Sequence, residues 1–120
     1  MVRVFHCDDS AAYRHLLREQ LRDDDTVEIV GGAGDTDAAI DGVAETQPDV
    51  VLLDLVAPGV VDEFTSRIRT VAPGARVVVL SGMSRDSHAS ESAAESAAAF
   101  VEKRSTLDQL RDAIVDAARG

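Results

Sequence analysis

The chain has 120 residues, 45% of them hydrophobic, with 22 acidic against 12 basic side chains and a net charge of −10. That length can bury one sizeable core and leaves no room for a second domain, so one domain over residues 1–120 is expected, with no output module following it. The acidity repels phosphate backbones and argues against nucleic-acid binding by this segment, and the apolar runs are too short for a signal-peptide core or a bilayer span, so a cytoplasmic chain without membrane contact is expected.

Strand and helix patterns alternate along the chain. Val2–Cys7 reads as a strand, and Ser10 as the N-cap of a helix through about Arg22 that places Ala12, Leu16, Leu17 and Leu21 on one face. Val27–Val30 predicts a second strand, Gly31-Gly32-Ala33-Gly34 a loop, and Thr36–Thr46 a helix that stops before Pro48. Val50–Leu53 is apolar throughout, the pattern of a central parallel strand covered on both faces. The Pro58-Gly59 turn leads into a helix near Val61–Val71, broken by Pro73-Gly74. Arg76–Leu80 predicts the fourth strand, Ser87–Ala94 an Ala-rich helix, and Phe100-Val101 a short fifth strand. Ser105, with Asp108 three residues on, reads as the cap of a last helix whose apolar face carries Leu107, Leu110, Ile114 and Ala118. With right-handed crossovers this rhythm gives an α/β, flavodoxin-like, doubly wound five-stranded parallel sheet in the order 2-1-3-4-5, with five helices distributed over both faces.

Four of the strand runs end in polar residues of different kinds: Asp8 and Asp9, Asp54, Ser81, and Lys103. In a parallel sheet these ends lie along one edge, where open α/β folds build sites. Lys103 is the only lysine among the 12 basic residues, and a compact ammonium does what a rigid guanidinium fork cannot. Three acids can hold one Mg²⁺, which prefers oxygen ligands. A carboxylate beside such a metal can attack phosphorus, which makes Asp54 the candidate nucleophile. Ser81 and Lys103 then supply the donor and the positive charge that phosphoryl oxygens need. Taken singly, Asp8 and Asp9 could simply favour a helix N-terminus, Ser81 could be a turn residue and Phe100 core; their joint placement at successive strand ends is what points to a shared site. Cys7 stands alone and reads as a small buried hydrophobe, and His6, His15 and His88 lack zinc-site spacing.

The ordered set Asp8-Asp9, Asp54 with Pro58 four residues on, Ser81-Gly82, and Phe100 three residues before Lys103 resembles the receiver domain of two-component response regulators over essentially the whole chain. The stretches Val27–Gly31 and Pro48–Leu55 are similar to the subfamily that usually carries a LuxR-type helix-turn-helix output. The resemblance implies that Asp9, Asp54 and the backbone carbonyl of Val56 ligate Mg²⁺, with Asp8 acting largely through water. It implies that Asp54 accepts phosphoryl from a phosphohistidine of a sensor histidine kinase, that Ser81 and Lys103 bind the phosphoryl oxygens, and that Phe100 changes rotamer. It also implies a switching surface on the fourth helix, fifth strand and fifth helix, through which a homodimer can form, and an output in transcription through a DNA-binding domain absent here. On this reading the chain is not an enzyme.

Four positions depart from the family pattern: Asp62 stands where a glycine usually follows the phosphorylation loop, Ser96 and Ala99 replace glycines before the fifth strand, and Arg104 takes the place of a proline. These departures bear on the switch more than on the chemistry. Two rival readings remain open. One is a receiver-like module that works by protein contact without phosphorylation. The other is an Asp-nucleophile phosphohydrolase, which would resemble its family in a second Asp two residues after the first, where this chain has Val56.

Overall fold

The computed structural model describes residues 1–54, 58–81 and 97–120. Five strands, β1 (Val2–Cys7), β2 (Val27–Ala33), β3 (Val50–Asp54), β4 (Arg76–Ser81) and β5 (Ala99–Glu102), form one parallel sheet in the order β2-β1-β3-β4-β5. Four helices accompany them: α1 (Ala11–Gln20), α2 (Thr36–Thr46), α3 (Pro58–Val71) and α4 (Leu107–Arg119). The helix expected over Ser87–Ala94 falls outside the described residues. No helix among those described is long and apolar enough to cross a membrane.

The alternation of side chains along a strand sorts the core into two layers. On β3, Val51 and Leu53 pack with Ile40 and Val43 of α2 and with Val61, Phe64 and Ile68 of α3. Val50 and Leu52 face the other way, toward Leu17 of α1 and Leu110 and Ile114 of α4. Helices therefore cover both faces, and β3 is buried from Val50 to Leu53, as its unbroken apolar run predicts, with only the terminal Asp54 partly exposed.

Three local readings need correction. The glycine-rich segment is not a loop: β2 runs on through Gly31, Gly32 and Ala33, which pair with Phe5, His6 and Cys7 after a bulge opposite Val4 and Phe5. No described glycine has positive φ. The reason for glycine is close packing, since a Cβ on Gly31 would lie 2.9 Å from the Phe5 ring, and one on Gly42 of α2 would lie 2.5 Å from it. The cap of α4 is Thr106, one residue later than expected; its hydroxyl accepts from Gln109 N at 3.1 Å while Gln109 Oε1 accepts from Thr106 N at 2.9 Å, a reciprocal box that Ser105 with Asp108 does not form. On α1, Leu17 and the adjoining Leu21 are buried, whereas Ala12 and Leu16 are exposed. Leu16 instead lines a surface cleft between α1 and α4 with Tyr13, Leu107 and Leu110, so the buried stripe is narrower than the sequence periodicity suggests.

Candidate phosphoacceptor site

Side-chain parity explains why an acidic site assembles on the face covered by α1 and α4. The residues of β1 that face this layer run Val4, His6 and then Asp8 just past the strand end; on β3 they run Val50, Leu52, Asp54, and Lys103 continues the same alternation from Val101 on β5. Three strand ends thus aim one buried acid, one partly exposed acid and one ammonium at a common point. Lys103 Nζ lies 3.0 Å from Asp8 Oδ2 and 3.2 Å from Asp54 Oδ1, with side-chain exposures of 25% for Lys103, 0% for Asp8 and 17% for Asp54. Asp9 is exposed, and one carboxylate oxygen from each of Asp8, Asp9 and Asp54 lies within 4.8 Å of the others.

Asp8 is held from several sides. Its backbone N–H donates to Ala33 O at 3.0 Å, and its Oδ1 accepts from Ser10 N at 2.9 Å, while Ser10 Oγ caps α1 by accepting from Tyr13 N at 3.1 Å. The acid thus also serves the helix N-terminus beside it. Its other oxygen, Oδ2, lies 3.6 Å from His6 Nε2, and both atoms are buried without a hydrogen-bond partner among the described residues. The close approach of Lys103 to Oδ2 is an ion pair by distance and does not satisfy that oxygen with hydrogen-bond geometry.

The electrostatics follow from burial. Desolvation pushes the Asp54 carboxyl above its ordinary range, with Lys103 pulling it back down and the Asp8 charge pushing it up. Desolvation works against the charge on Lys103, yet its contacts with Asp8 and Asp54 carry its pKa upward overall. His6 is pushed down from 6.5 to about 4, chiefly by burial, with Asp8 opposing the shift. Burial and the nearby Asp35, Asp8 and Asp54 charges push the Cys7 thiol up to about 12, so this cysteine is an inert core residue.

Ser81, at the end of β4, is fully buried, and its carbonyl accepts from Lys103 N at 2.7 Å, which ties the lysine's backbone to the neighbouring strand. Phe100 is 8% exposed and packs in the layer of α2 and α3, on the opposite face of the sheet from Lys103. Val56 and Ser96 lie outside the described residues. Among the departures from the family pattern, Asp62 is exposed on α3, Ala99 pairs with Val78, and Arg104 pairs with Glu102 at 3.0 Å.

The sequence reading passed over Tyr13. Its ring lies 4.4 Å from Lys103 Nζ and meets the His6 ring edge-on at 5.6 Å, so it forms a π wall under the ammonium. Its position, four residues past Asp9 on the first turn of α1, is the signal that could have found it: that turn rises beside the strand ends.

The response regulator receiver domain family matches residues 4–115, and the chain belongs to that family. Among solved structures it is similar to the signal receiver domain of the response regulator NarL from Mycobacterium tuberculosis, with 32% identity, a TM-score of 0.85, and 99% of this chain and 97% of that one covered. The response regulator domain of Thermotoga maritima CheB is similar at 26% identity and a TM-score of 0.77, covering 99% and 94%. Among curated proteins it resembles protein-glutamate methylesterase/protein-glutamine glutaminase 5 of Myxococcus xanthus, 39% identical over 100 residues that make up 81% of this chain and 28% of the relative. A second, number 4 of Geobacter metallireducens, is 37% identical over 82 residues, 68% of this chain and 24% of the relative. The chain therefore spans about a quarter of the length of these curated relatives.

Proposed function

We propose that this receiver takes a phosphoryl group onto Asp54 from the phosphohistidine of a sensor histidine kinase, with Mg²⁺ held by the acid cluster. The observation that carries the reading is Lys103 bridging Asp8 and Asp54, with an oxygen of Asp9 within 4.8 Å of theirs. The donor set suits a small hard cation. It offers three carboxylates, and Asp8 Oδ2 is buried without a hydrogen-bond partner among the described residues. Asp9 and Asp54 would hold the ion directly, with the Val56 carbonyl, while Asp8 would act through water. When bound, the metal would neutralise charge on the oxygens of the transferred group.

The residues of the chain do the rest. An Asp54 carboxylate oxygen attacks phosphorus and a P–O bond forms. The P–N bond to the donor imidazole breaks, and its electron pair stays on the ring nitrogen. Lys103 is already against Asp54 Oδ1 and favours the ionised nucleophile; it stabilises oxygens of the arriving group, together with the Ser81 hydroxyl. Once phosphorylated, the Asp54 carboxyl oxygen loses its own attraction for Lys103, so the ammonium follows the phosphoryl oxygens. That movement is the link to Phe100 and to a switching face on β5, α4 and the segment Ser87–Ala94, through which a homodimer would form.

Two outputs are supported by different observations. The likeness to the NarL receiver, with the subfamily traits in Val27–Gly31 and Pro48–Leu55, supports control of transcription through a DNA-binding domain. The likeness to protein-glutamate methylesterases supports control of an attached enzyme. In either case this segment is the regulator and not the catalyst, and it works in the cytoplasm beside the kinase.

Intact-mass spectrometry after exposure to acetyl phosphate tests the proposal. One phosphoryl adduct should form with Mg²⁺, none in EDTA, and none on Asp54→Asn. An equal mass gain in both proteins would remove Asp54 from the role. No gain in the wild type would favour a module that works by contact alone, and steady release of phosphate from a monoester substrate would revive the phosphohydrolase.

A further inference from the structure

On the far side of α1 from α4, a groove of about 290 Å³ opens between that helix and the edge strand β2, lined by His6, Arg14, His15, Arg18, Ile29, Gly31 and Gly32. In a chain with a net charge of −10, this wall carries two arginines, two histidines and no carboxylate. Arg14 and Arg18 stand four residues apart on α1 and so share a face, where like charges repel. Among the described residues neither has an ion-pair partner, whereas Arg22, Arg67, Arg104 and Arg111 each do. The only hydrogen bond of the Arg14 guanidinium among them is a long one, 3.4 Å, to the backbone carbonyl of Asp8.

The floor of the groove is open because it is made of glycine. A Cβ on Gly32 would lie 3.2 Å from His6 O and 3.5 Å from Arg14 Cδ, and one on Gly34 would lie 3.5 Å from Arg14 Nη1. Side chains there would fill the space in front of the guanidinium. Ile29 adds an apolar wall, and the volume sits near the lower end of small-ligand sites, more than a single tetrahedral oxyanion occupies.

We propose that this groove binds a small phosphate monoester, its oxyanion on Arg14 and Arg18 and its organic part against Ile29 and the Gly31-Gly32 backbone. Guanidinium forks match phosphate oxygens in bidentate geometry, and a dianion between the two arginines would cancel their mutual repulsion. The site is separate from the acid cluster but mechanically joined to it, because Arg14 touches the Asp8 carbonyl and His6 walls both spaces.

The test is an NMR titration of the ¹⁵N-labelled chain in EDTA at constant ionic strength, with adenosine monophosphate, adenosine and inorganic phosphate as probes. Saturable shifts at the amides of Gly31 and Gly32 and in α1 are expected with the monophosphate. Binding should be weaker with inorganic phosphate and undetectable with adenosine. Arg18→Glu, at an exposed position that tolerates change, should weaken binding at least about tenfold, and Arg18→Lys should weaken it less. The proposal is overturned if no saturable shift appears by about 10 mM, if adenosine or inorganic phosphate binds as well as the monophosphate, or if Arg18→Glu leaves affinity unchanged. Asp54 phosphorylation in Arg18→Glu separates this site from the acid cluster, since Arg18 has no part in the transfer.

Discussion

Burial of one neutral histidine, His6, should make this protein lose stability as the pH falls from 7 to 5. His6 is 2% exposed, and burial pushes its pKa from 6.5 down to about 4. In the unfolded chain His6 takes up a proton near pH 6.5, while in the folded chain it stays neutral until about pH 4. The unfolded state therefore binds more protons throughout that window. Stability is present above 6.5 and is lost as the pH falls toward the folded value. Between pH 7 and pH 5 the difference in proton uptake amounts to about 2 kcal/mol. For a domain of this length that is a fall in Tm of about 8 °C. The assay is thermal or urea unfolding of the metal-free protein at pH 7, 6 and 5, for the wild type and for His6→Gln, which cannot titrate. Titrating groups remote from His6 are common to both proteins and cancel, so the difference reports His6 together with Asp8, its neighbour at 3.6 Å. The wild type should lose about 2 kcal/mol more than the variant over that range. Parallel stability curves for the two would refute the reasoning, because they would mean that His6 charges in the folded state as readily as in the unfolded one.

Gly42→Ala should destabilise the fold by about 1–2 kcal/mol in urea unfolding despite the better helix propensity of alanine, because the new Cβ would meet the Phe5 ring, which Gly31 confines from the other side. Asp24→Ala should cost about 2 kcal/mol by the same measurement. Asp24 Oδ1 accepts from Thr26 N, Thr26 Oγ1 and Val27 N, and its Oδ2 pairs with Arg111 of α4 at 3.1 Å; these bonds hold the carboxyl down at about 2. Tyr13→Leu should slow labelling of Asp54 by acetyl phosphate about fivefold while Tyr13→Phe keeps the wild-type rate, since only the π face under Lys103 is removed. Added Mg²⁺ should raise the Tm of the wild type, with the response blunted more by Asp9→Ala than by Asp8→Ala; equal responses in all three would contradict the metal site.

The strands and their order were legible because short apolar runs of β-branched residues, bounded by turn residues and alternating with helix patterns, mark parallel strands covered on both faces. Val50–Leu53 and Val77–Leu80 are apolar without alternation, and β1 is followed directly by the polar Asp8 as β5 is by Lys103. Where the reading failed, a long-range contact overrode a local signal. Gly31-Gly32 has the composition of a turn, but the residues are strand because they pair with Phe5 and His6 of β1, and glycine stands at 31 because the Phe5 ring, 26 positions earlier, leaves no room for a Cβ. Thr106 displaced Ser105 as a cap because a box needs a partner that reaches back, and Gln109 supplies it three residues on. Leu16 looked like core by periodicity, yet it lies at the open seam between α1 and α4, where it lines a surface cleft with Tyr13, Leu107 and Leu110.

The site was more legible than its mechanics. Which polar residues meet follows from strand order and parity, both of which can be read along the chain, so Asp8, Asp54 and Lys103 could be brought together before any distance was known. How they meet depends on the third dimension. Asp8 became the most buried of the acids because β1 lies inside the sheet and α1 closes over its end, whereas Asp9, one residue on, points out to solvent. Adjacent carboxylates in the sequence thus differ in desolvation far more than in composition. The contact of Tyr13 with Lys103 and the arginine-lined groove depend on the third dimension in the same way. Both arise where α1 lies across the strands: Tyr13 faces Lys103 while Arg14 and Arg18 face β2, so a single helix separates an acidic pocket from a basic one.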